Sequence, residues 1–190
     1  SVNGDTVLVN QGIYYENLHI TKSITLASYA IFDEDLDENW TEFSPIFLEW
    51  QIANDNITNT IIDGGTATDE YGSAILIYSP DDECITPTVL GFTIQNGLGT
   101  EVLRNPDTDD EQVQRLGGGI LYDISDPAIS YNQISNNGSN NVTAGGGTYG
   151  TSAEEDWSFN NREMNGRARC DINEFELPNN LYDSNDALYG

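Results

Sequence analysis

Short runs of alternating apolar and polar residues recur along the chain, each bounded by glycine or asparagine. In SITLAS the alternation is strict and puts Ile24 and Leu26 on one face of an extended segment. In YYENLHI the same reasoning groups Tyr14, Leu18 and Ile20. Runs of this length between glycines and asparagines predict short β-strands joined by tight turns.

Two of these segments repeat each other at a fixed offset. PTVLGFTIQNG and PAISYNQISNNG align as Pro87 with Pro127, Val89 with Ile129, Ile94 with Ile134 and Asn96 with Asn136. Each is followed by a glycine triplet, at residues 117–119 and 145–147. NTIIDGG followed by GSAILIY has the same order as GFTIQNG followed by GGGILY. An internal repeat of this size is typical of a solenoid.

The repeat predicts an all-β fold, a parallel β-helix of about five or six irregular turns, formed by residues 1–190 as one domain. Inward positions must be apolar and matched in size, as are Ile94, Ile120, Ile129 and Ile134. Asparagines stacked at equivalent positions, such as Asn96 over Asn136, would form hydrogen-bonded ladders. The glycine triplets would permit backbone approaches that a Cβ would block.

Three segments interrupt the pattern: an insertion at 29–54, an acidic loop at 98–116 and an irregular stretch at 151–178. In the insertion, large apolar residues fall three or four apart, a helical spacing, at Phe32, Leu36, Trp40, Phe43, Phe47 and Trp50. Pro45 opposes one continuous helix. We therefore expect a short helix and a loop whose aromatics either cover a β-face or contact another molecule.

The segments GDTVLVNQGIYYENLHITKSITLAS, VLGFTIQNG and GGGILYDISDPAISYNQISNNG resemble bacterial right-handed parallel β-helix proteins of the pectin-lyase-like superfold. The resemblance covers most of residues 4–150 and, weakly, 179–190. It implies a right-handed coil in a secreted or surface protein that carries sorting or adhesion modules. Such proteins have further coils, so we expect this chain to be a fragment or a subunit closed by its neighbours.

The chain is strongly acidic: 32 acidic residues against six basic ones give a formal charge of −26. Nucleic acids and anionic membranes need a basic patch and are excluded as partners. The charge indicates a solvated surface, cation binding or a salty medium. The sequence contains no run of 18 apolar residues, so it predicts no membrane-spanning helix. The sequence contains no signal peptide. Ser1 falls within a strand-forming unit, so we expect an upstream segment that either has been removed or is not included in this sequence.

Two acidic segments are candidate Ca²⁺ sites. The first carries carboxylates at alternate positions, at Asp33, Asp35 and Asp37; the second contains Asp107, Asp109 and Asp110. The first resembles the start of an EF-hand loop but lacks the glycine and the final acid of that motif. The alternative for each is a solvated acidic loop.

Covalent modification would suit an exported protein. Cys84 and Cys170 are the two cysteines, and they either form a disulfide that closes a long loop or are buried thiols. Four Asn-x-Ser/Thr sequons are candidate glycosylation sites, at Asn39, Asn56, Asn137 and Asn141.

The superfold hosts polysaccharide lyases and glycoside hydrolases, but fold alone decides no activity. The single histidine, His19, and the single lysine, Lys22, lie in no recognisable catalytic motif. Aromatic side chains that could stack on sugar rings are Tyr14, Tyr15, Trp40, Trp50 and Trp157.

These observations favour an extracellular, cell-surface scaffold, structural or adhesive, and not an enzyme. It would associate end to end or with other surface proteins. The alternative is a module that binds or cleaves carbohydrate.

Overall fold

Most of the regular structure is parallel β-sheet. The computed structural model describes residues 1–47, 49–66, 71–80, 84–105, 109–123, 125–139, 141–151, 157–158 and 179–187. With strands numbered in chain order, sheet 1 contains β1 (Thr6–Val9), β4 (Thr25–Ser28), β9 (Thr88–Leu90) and β14 (Ala128–Ser130). Sheet 2 contains β2 (Gly12–Tyr15), β7 (Thr60–Asp63), β10 (Thr93–Gln95), β15 (Gln133–Ser135) and β18 (Leu181–Asp183). Sheet 3 contains β3 (Leu18–Ile20), β8 (Ile75–Tyr78), β13 (Ile120–Asp123) and β16 (Thr148–Thr151).

The chain passes through the three sheets in a fixed order. The passage β1, β2, β3 is repeated by β4, β7, β8, then by β9, β10, β13, then by β14, β15, β16, and β18 adds a fifth strand to sheet 2. All pairings within these sheets are parallel. The offset read from the sequence is confirmed, because Val89 pairs with Ile129 and Ile94 pairs with Ile134. The all-β prediction is therefore correct.

One apolar cluster draws its side chains from all three sheets. The four isoleucines predicted to point inward, Ile94, Ile120, Ile129 and Ile134, are fully buried in it. Since side chains alternate between the faces of a strand, Leu76 and Leu121 lie on the opposite face of sheet 3. They form a second, smaller cluster with Val102 and Leu116.

The second cluster is built by the segment predicted as an acidic loop. Residues 98–116 instead contain an antiparallel hairpin of β11 (Thr100–Arg104) and β12 (Gln112–Leu116). β11 also pairs with β17 (Trp157–Ser158). The acidic residues at 109–111 lie near the hairpin tip, whereas its base carries the buried side chains. Most of the segment 151–178, predicted to be irregular, lies outside the described residues.

The insertion predicted at 29–54 contains a short helix, as expected, but a hairpin in place of the expected loop. It begins with a 3-10 turn (Tyr29–Phe32) and a single helical turn, α1 (Leu36–Asn39). An antiparallel hairpin of β5 (Thr41–Ser44) and β6 (Glu49–Ile52) then replaces the predicted loop, and α2 (Asp55–Thr58) leads back to sheet 2. The helical stripe was wrong beyond Leu36 because Pro45 lies in the hairpin turn, so Phe43 and Trp50 pair across strands.

Asparagine ladders are present, but one residue later than predicted. Asn96 and Asn136 have positive φ values of 59° and 54°, and the residue after each is buried. The Asn137 amide donates to the Ile94 carbonyl at 2.8 Å and to Asn185 Oδ1 at 3.1 Å. An equivalent ladder joins Asn132 to Asn180 at 3.1 Å. The residue with positive φ turns the chain, and the side chain of the asparagine that follows it links one passage through the sheets to the next.

Asn137→Ala is expected to destabilise the chain by about 2–4 kcal/mol, because it leaves several buried backbone and side-chain groups without a hydrogen-bond partner. These include the Gly97 amide, which donates to Asn137 Oδ1 at 2.9 Å. Urea unfolding followed by far-ultraviolet circular dichroism measures the change. Asn141→Ala is the matched control, since Asn141 is exposed and its replacement should cost less than about 0.5 kcal/mol. Equal midpoints for the two variants would contradict the ladder's role.

Candidate functional site

A groove of about 640 Å³ separates the inserted hairpin from sheet 2. Its lining residues are Glu49, Trp50, Gln51, Ile52, Thr58, Gln133, Leu181, Tyr182 and Asp183. This volume lies within the range of small-molecule and cofactor pockets, roughly 300–1,000 Å³. We define these residues as the hairpin groove.

The hairpin wall is positioned by local pairing. Phe43 and Trp50 oppose each other across the strands, with ring centroids 5.8 Å apart and planes at 67°. Edge-to-face contacts of this kind stabilise a cross-strand aromatic pair. Trp50 remains 60% exposed, so much of its surface is open to a ligand. Gln51 Nε2 donates to Glu49 Oε1 at 3.2 Å, which orders the polar face of β6.

The opposite wall belongs to the last described strands of sheet 2. Gln133 pairs in register with Leu181, and Ser135 pairs with Asp183. The Asp183 carboxylate accepts a hydrogen bond from Ser184 Oγ at 3.0 Å. The groove therefore combines one exposed indole with amide and carboxylate groups. Of these groove residues, Trp50 was predicted from the sequence, whereas Gln133 and Asp183 were not. The alternation of side chains within β15 and β18 was the signal that could have shown both residues facing outward.

Asp63 lies in the same sheet, at the end of β7. Its carboxylate accepts hydrogen bonds from Gln95 Nε2 at 2.9 Å, Asn96 Nδ2 at 2.8 Å and the Gly65 amide at 3.0 Å. Burial raises the pKa of Asp63, but these three donors outweigh it and hold the pKa below its usual value. Its stabilising contribution is present above the unfolded-state pKa and is lost as the pH falls through the lowered folded-state pKa. Asp63 thus ties two layers together at a corner.

The first candidate Ca²⁺ site is not assembled. Asp33 accepts from Asn54 Nδ2 at 2.7 Å and from Asn56 Nδ2 at 3.1 Å, and Asp35 accepts from Asn39 at 3.0 Å. Asp37 accepts from the Tyr131 hydroxyl. Each carboxylate therefore has different partners, because the chain folds into short separate turns there.

In the second candidate site, Asp109 and Asp110 lie in a turn of the β11–β12 hairpin, and Asp107 lies outside the described residues. Within the described part of the chain, no three His, Cys, Asp or Glu side chains are grouped so that they could hold a metal ion.

The modification sites have different surroundings. Asn39 and Asn141 are exposed, whereas the Asn56 amide is held by Asp33. Asn137 is only 1% exposed and its amide nitrogen has two acceptors, so the folded chain disfavours a glycan there. No free cysteine occurs among the described residues. Because Cys170 lies outside them, the Cys84–Cys170 pairing stays a prediction.

The other candidate aromatics are not gathered in the hairpin groove. The Trp40 ring packs edge-on against Tyr131, with centroids 5.7 Å apart. Tyr14 and Tyr15 lie in β2, and Trp157 lies in β17. Sugar stacking therefore remains a prediction whose structural support within the groove is Trp50.

His19 packs edge-on against the rings of Tyr71 and Tyr78, with centroid distances of 5.2 and 6.2 Å. Partial burial there lowers the pKa of the imidazole, which favours the neutral form. Lys22 Nζ donates to the Ser1 carbonyl oxygen at 2.6 Å. Each side chain therefore has a structural contact of its own, away from the hairpin groove.

No helix in the described ranges is both long and apolar enough to cross a bilayer. No family model, curated protein or solved structure matches the chain.

Proposed function

We propose that the chain is a right-handed parallel β-helix that serves as a structural or adhesive scaffold outside the cell. The observation that carries this proposal is that the chain passes four times through the same three parallel sheets in the same order. In this arrangement each passage is one turn of the coil, and backbone ladders run the length of the molecule. Buried isoleucines and asparagine ladders repeat from turn to turn, as expected for a repeat protein.

The first turn offers a surface for further stacking. Val7 and Leu26 are in register, yet Val7 is 36% exposed and Leu26 only 6%. The difference arises because Leu26 has a layer on each side, whereas no described strand pairs with the outer edge of β1. A further turn, from the same polypeptide or from a second copy, would cover this apolar surface and complete the ladder.

Charge would oppose such stacking between copies. The formal charge of −26 gives strong repulsion, which salt screens within a Debye length of about 8 Å at physiological ionic strength. We therefore expect end-to-end association to strengthen as salt is added. An acidic scaffold of this kind suits a medium rich in cations.

Leu8→Pro is expected to abolish association while preserving the fold. The Thr25 amide donates to the Asp5 carbonyl. Since alternate residues of a parallel strand bond to the same neighbour, the backbone groups of Val7 and Val9 bond to β4, and the backbone amide and carbonyl of Leu8 face the free edge. Proline removes the amide donor at that edge without breaking a bond to β4. Sedimentation velocity across protein concentration, at low and high salt, measures the effect.

The matched control is Thr41→Pro, which alters the free edge of the inserted hairpin and should leave association intact. A wild-type chain that stays monomeric at every concentration and salt level would refute end-to-end assembly. The β-helix itself would be refuted by an experimental structure in which the three sheets do not enclose a common core.

A further inference from the structure

The hairpin groove runs along strand edges. All four consecutive residues of β6, Glu49–Ile52, line it, whereas no residue of β5 does. A cavity over one face of a strand would touch alternate residues only, because side chains alternate between the two faces. A cavity that touches four successive residues of β6, on the side away from β5, instead follows the backbone edge of β6. Leu181–Asp183 of β18 line the opposite wall together with Gln133 of the inner strand β15, so this wall includes the outer face of sheet 2 as well as the edge of β18.

The β6 edge carries free pairing groups. The Ala53 amide donates to the Trp40 carbonyl at 2.8 Å, which marks those residues as a hydrogen-bonded pair. Because bonded and non-bonded pairs alternate in an antiparallel ladder, Trp50 and Ile52, opposite Phe43 and Thr41, belong to non-bonded pairs. Their amides and carbonyls therefore point away from β5, towards the groove.

The opposite edge is similar. The Leu181 amide donates to the Asn132 carbonyl at 2.9 Å, and the Asp183 carbonyl accepts from the Asn136 amide at 3.1 Å. Alternate residues of a parallel strand bond to the same neighbour, so the backbone groups of Tyr182, between them, face away from β15. The β6 edge thus presents the donors and acceptors of Trp50 and Ile52, and the β18 edge adds those of Tyr182.

We propose that the hairpin groove binds an extended, basic polypeptide segment that adds as a strand to β6. An extended polypeptide has donors and acceptors at the spacing of those on the β6 edge, whereas a sugar chain has no such repeat. Glu49 and Asp183 line the groove, and none of its described lining residues is a lysine or arginine, so a basic segment is electrostatically favoured. β6 contains neither the proline nor the lysine that often protect a strand edge.

The test uses a fluorescein-labelled octapeptide of alternating valine and lysine, with binding followed by fluorescence anisotropy at low and physiological salt. Three comparison probes are the same peptide with every backbone amide methylated, its valine–glutamate counterpart and labelled cellohexaose. The protein variants are Ile52→Pro, which removes a donor from the β6 edge, and Thr41→Pro, which makes the matched change on the β5 edge. Circular dichroism establishes that both variants are folded.

The expected result is saturable binding of the valine–lysine peptide, weakened at least about tenfold by amide methylation and by Ile52→Pro but not by Thr41→Pro. Hydrogen exchange should show new protection of the Trp50 and Ile52 amides. Equal binding of the methylated peptide, equal loss in the two variants, or binding of the glutamate peptide or cellohexaose in place of the valine–lysine peptide would overturn the proposal. So would the absence of saturation at about 1 mM peptide.

Discussion

Gly118→Ala is expected to prevent folding. A Cβ at Gly118 would lie 2.5 Å from the Gly138 nitrogen and closer still to the Gly146 carbonyl oxygen. Both contacts are with the backbone of neighbouring layers, so no side-chain rotation relieves them. Neighbouring layers are held at the strand spacing of about 4.8 Å, and one methyl group would force them apart along several ladders. Since domains are stable by only about 5–15 kcal/mol, a local rupture of this kind is enough to unfold the chain.

The matched control is Gly12→Ala, also at a position without positive φ. A Cβ there would meet the Tyr14 ring at 3.6 Å, an ordinary van der Waals contact. The control variant should be soluble and melt close to the wild type, whereas Gly118→Ala should be recovered mainly as aggregate. Soluble yield and the thermal melt by circular dichroism measure both. A folded Gly118→Ala variant with an unchanged melting temperature would contradict the close packing of layers.

Phe92→Ala is expected to lower the free energy of unfolding by about 3–5 kcal/mol. Phe92 is fully buried in the cluster shared by the three sheets, and it is among the largest side chains buried there. Truncation to alanine removes the apolar transfer energy of the ring and leaves a cavity that rigid ladders cannot close. The Phe92 amide would keep its hydrogen bond to Asn132 Oδ1, so the loss should reflect packing alone.

Urea unfolding compared between Phe92→Ala and Phe47→Ala measures this loss. Phe47 is exposed in the hairpin turn, and its replacement should change stability by less than about 0.5 kcal/mol. Phe92→Leu should lie between these two variants, because it restores part of the volume. If the two alanine variants unfold at the same urea concentration, Phe92 is not a core residue.

The register between neighbouring strands was predictable because the chain contains two similar segments at a fixed offset. Each apolar residue of the first segment lies at the same distance from its turn as its counterpart in the second. When the equivalent turns align, Val89 pairs with Ile129 and Ile94 pairs with Ile134. The asparagine ladder was predicted at the correct corner of the chain but at the wrong residue, Asn136 instead of Asn137. The doublet Asn136–Asn137 contains one asparagine for the left-handed corner and one for the ladder, and alignment alone did not separate the two roles.

The inserted hairpin was harder to predict because two structures share its spacing. Phe43, Phe47 and Trp50 are spaced as on a helix, and the same spacing places Phe43 opposite Trp50 when the chain reverses at Pro45. The hairpin groove could not be predicted at all, since Glu49–Ile52 on one wall are far in sequence from Gln133 and Leu181–Asp183 on the other.

By itself the sequence determined the strand-rich class, the order of the strands and their register, since apolar alternation and turn residues act over a few positions. The tertiary structure decided which acidic side chains meet, which asparagines are buried and where an open strand edge faces a groove. Those outcomes depend on contacts between layers and insertions far apart in the chain, whose relative positions are fixed only once the sheets have stacked.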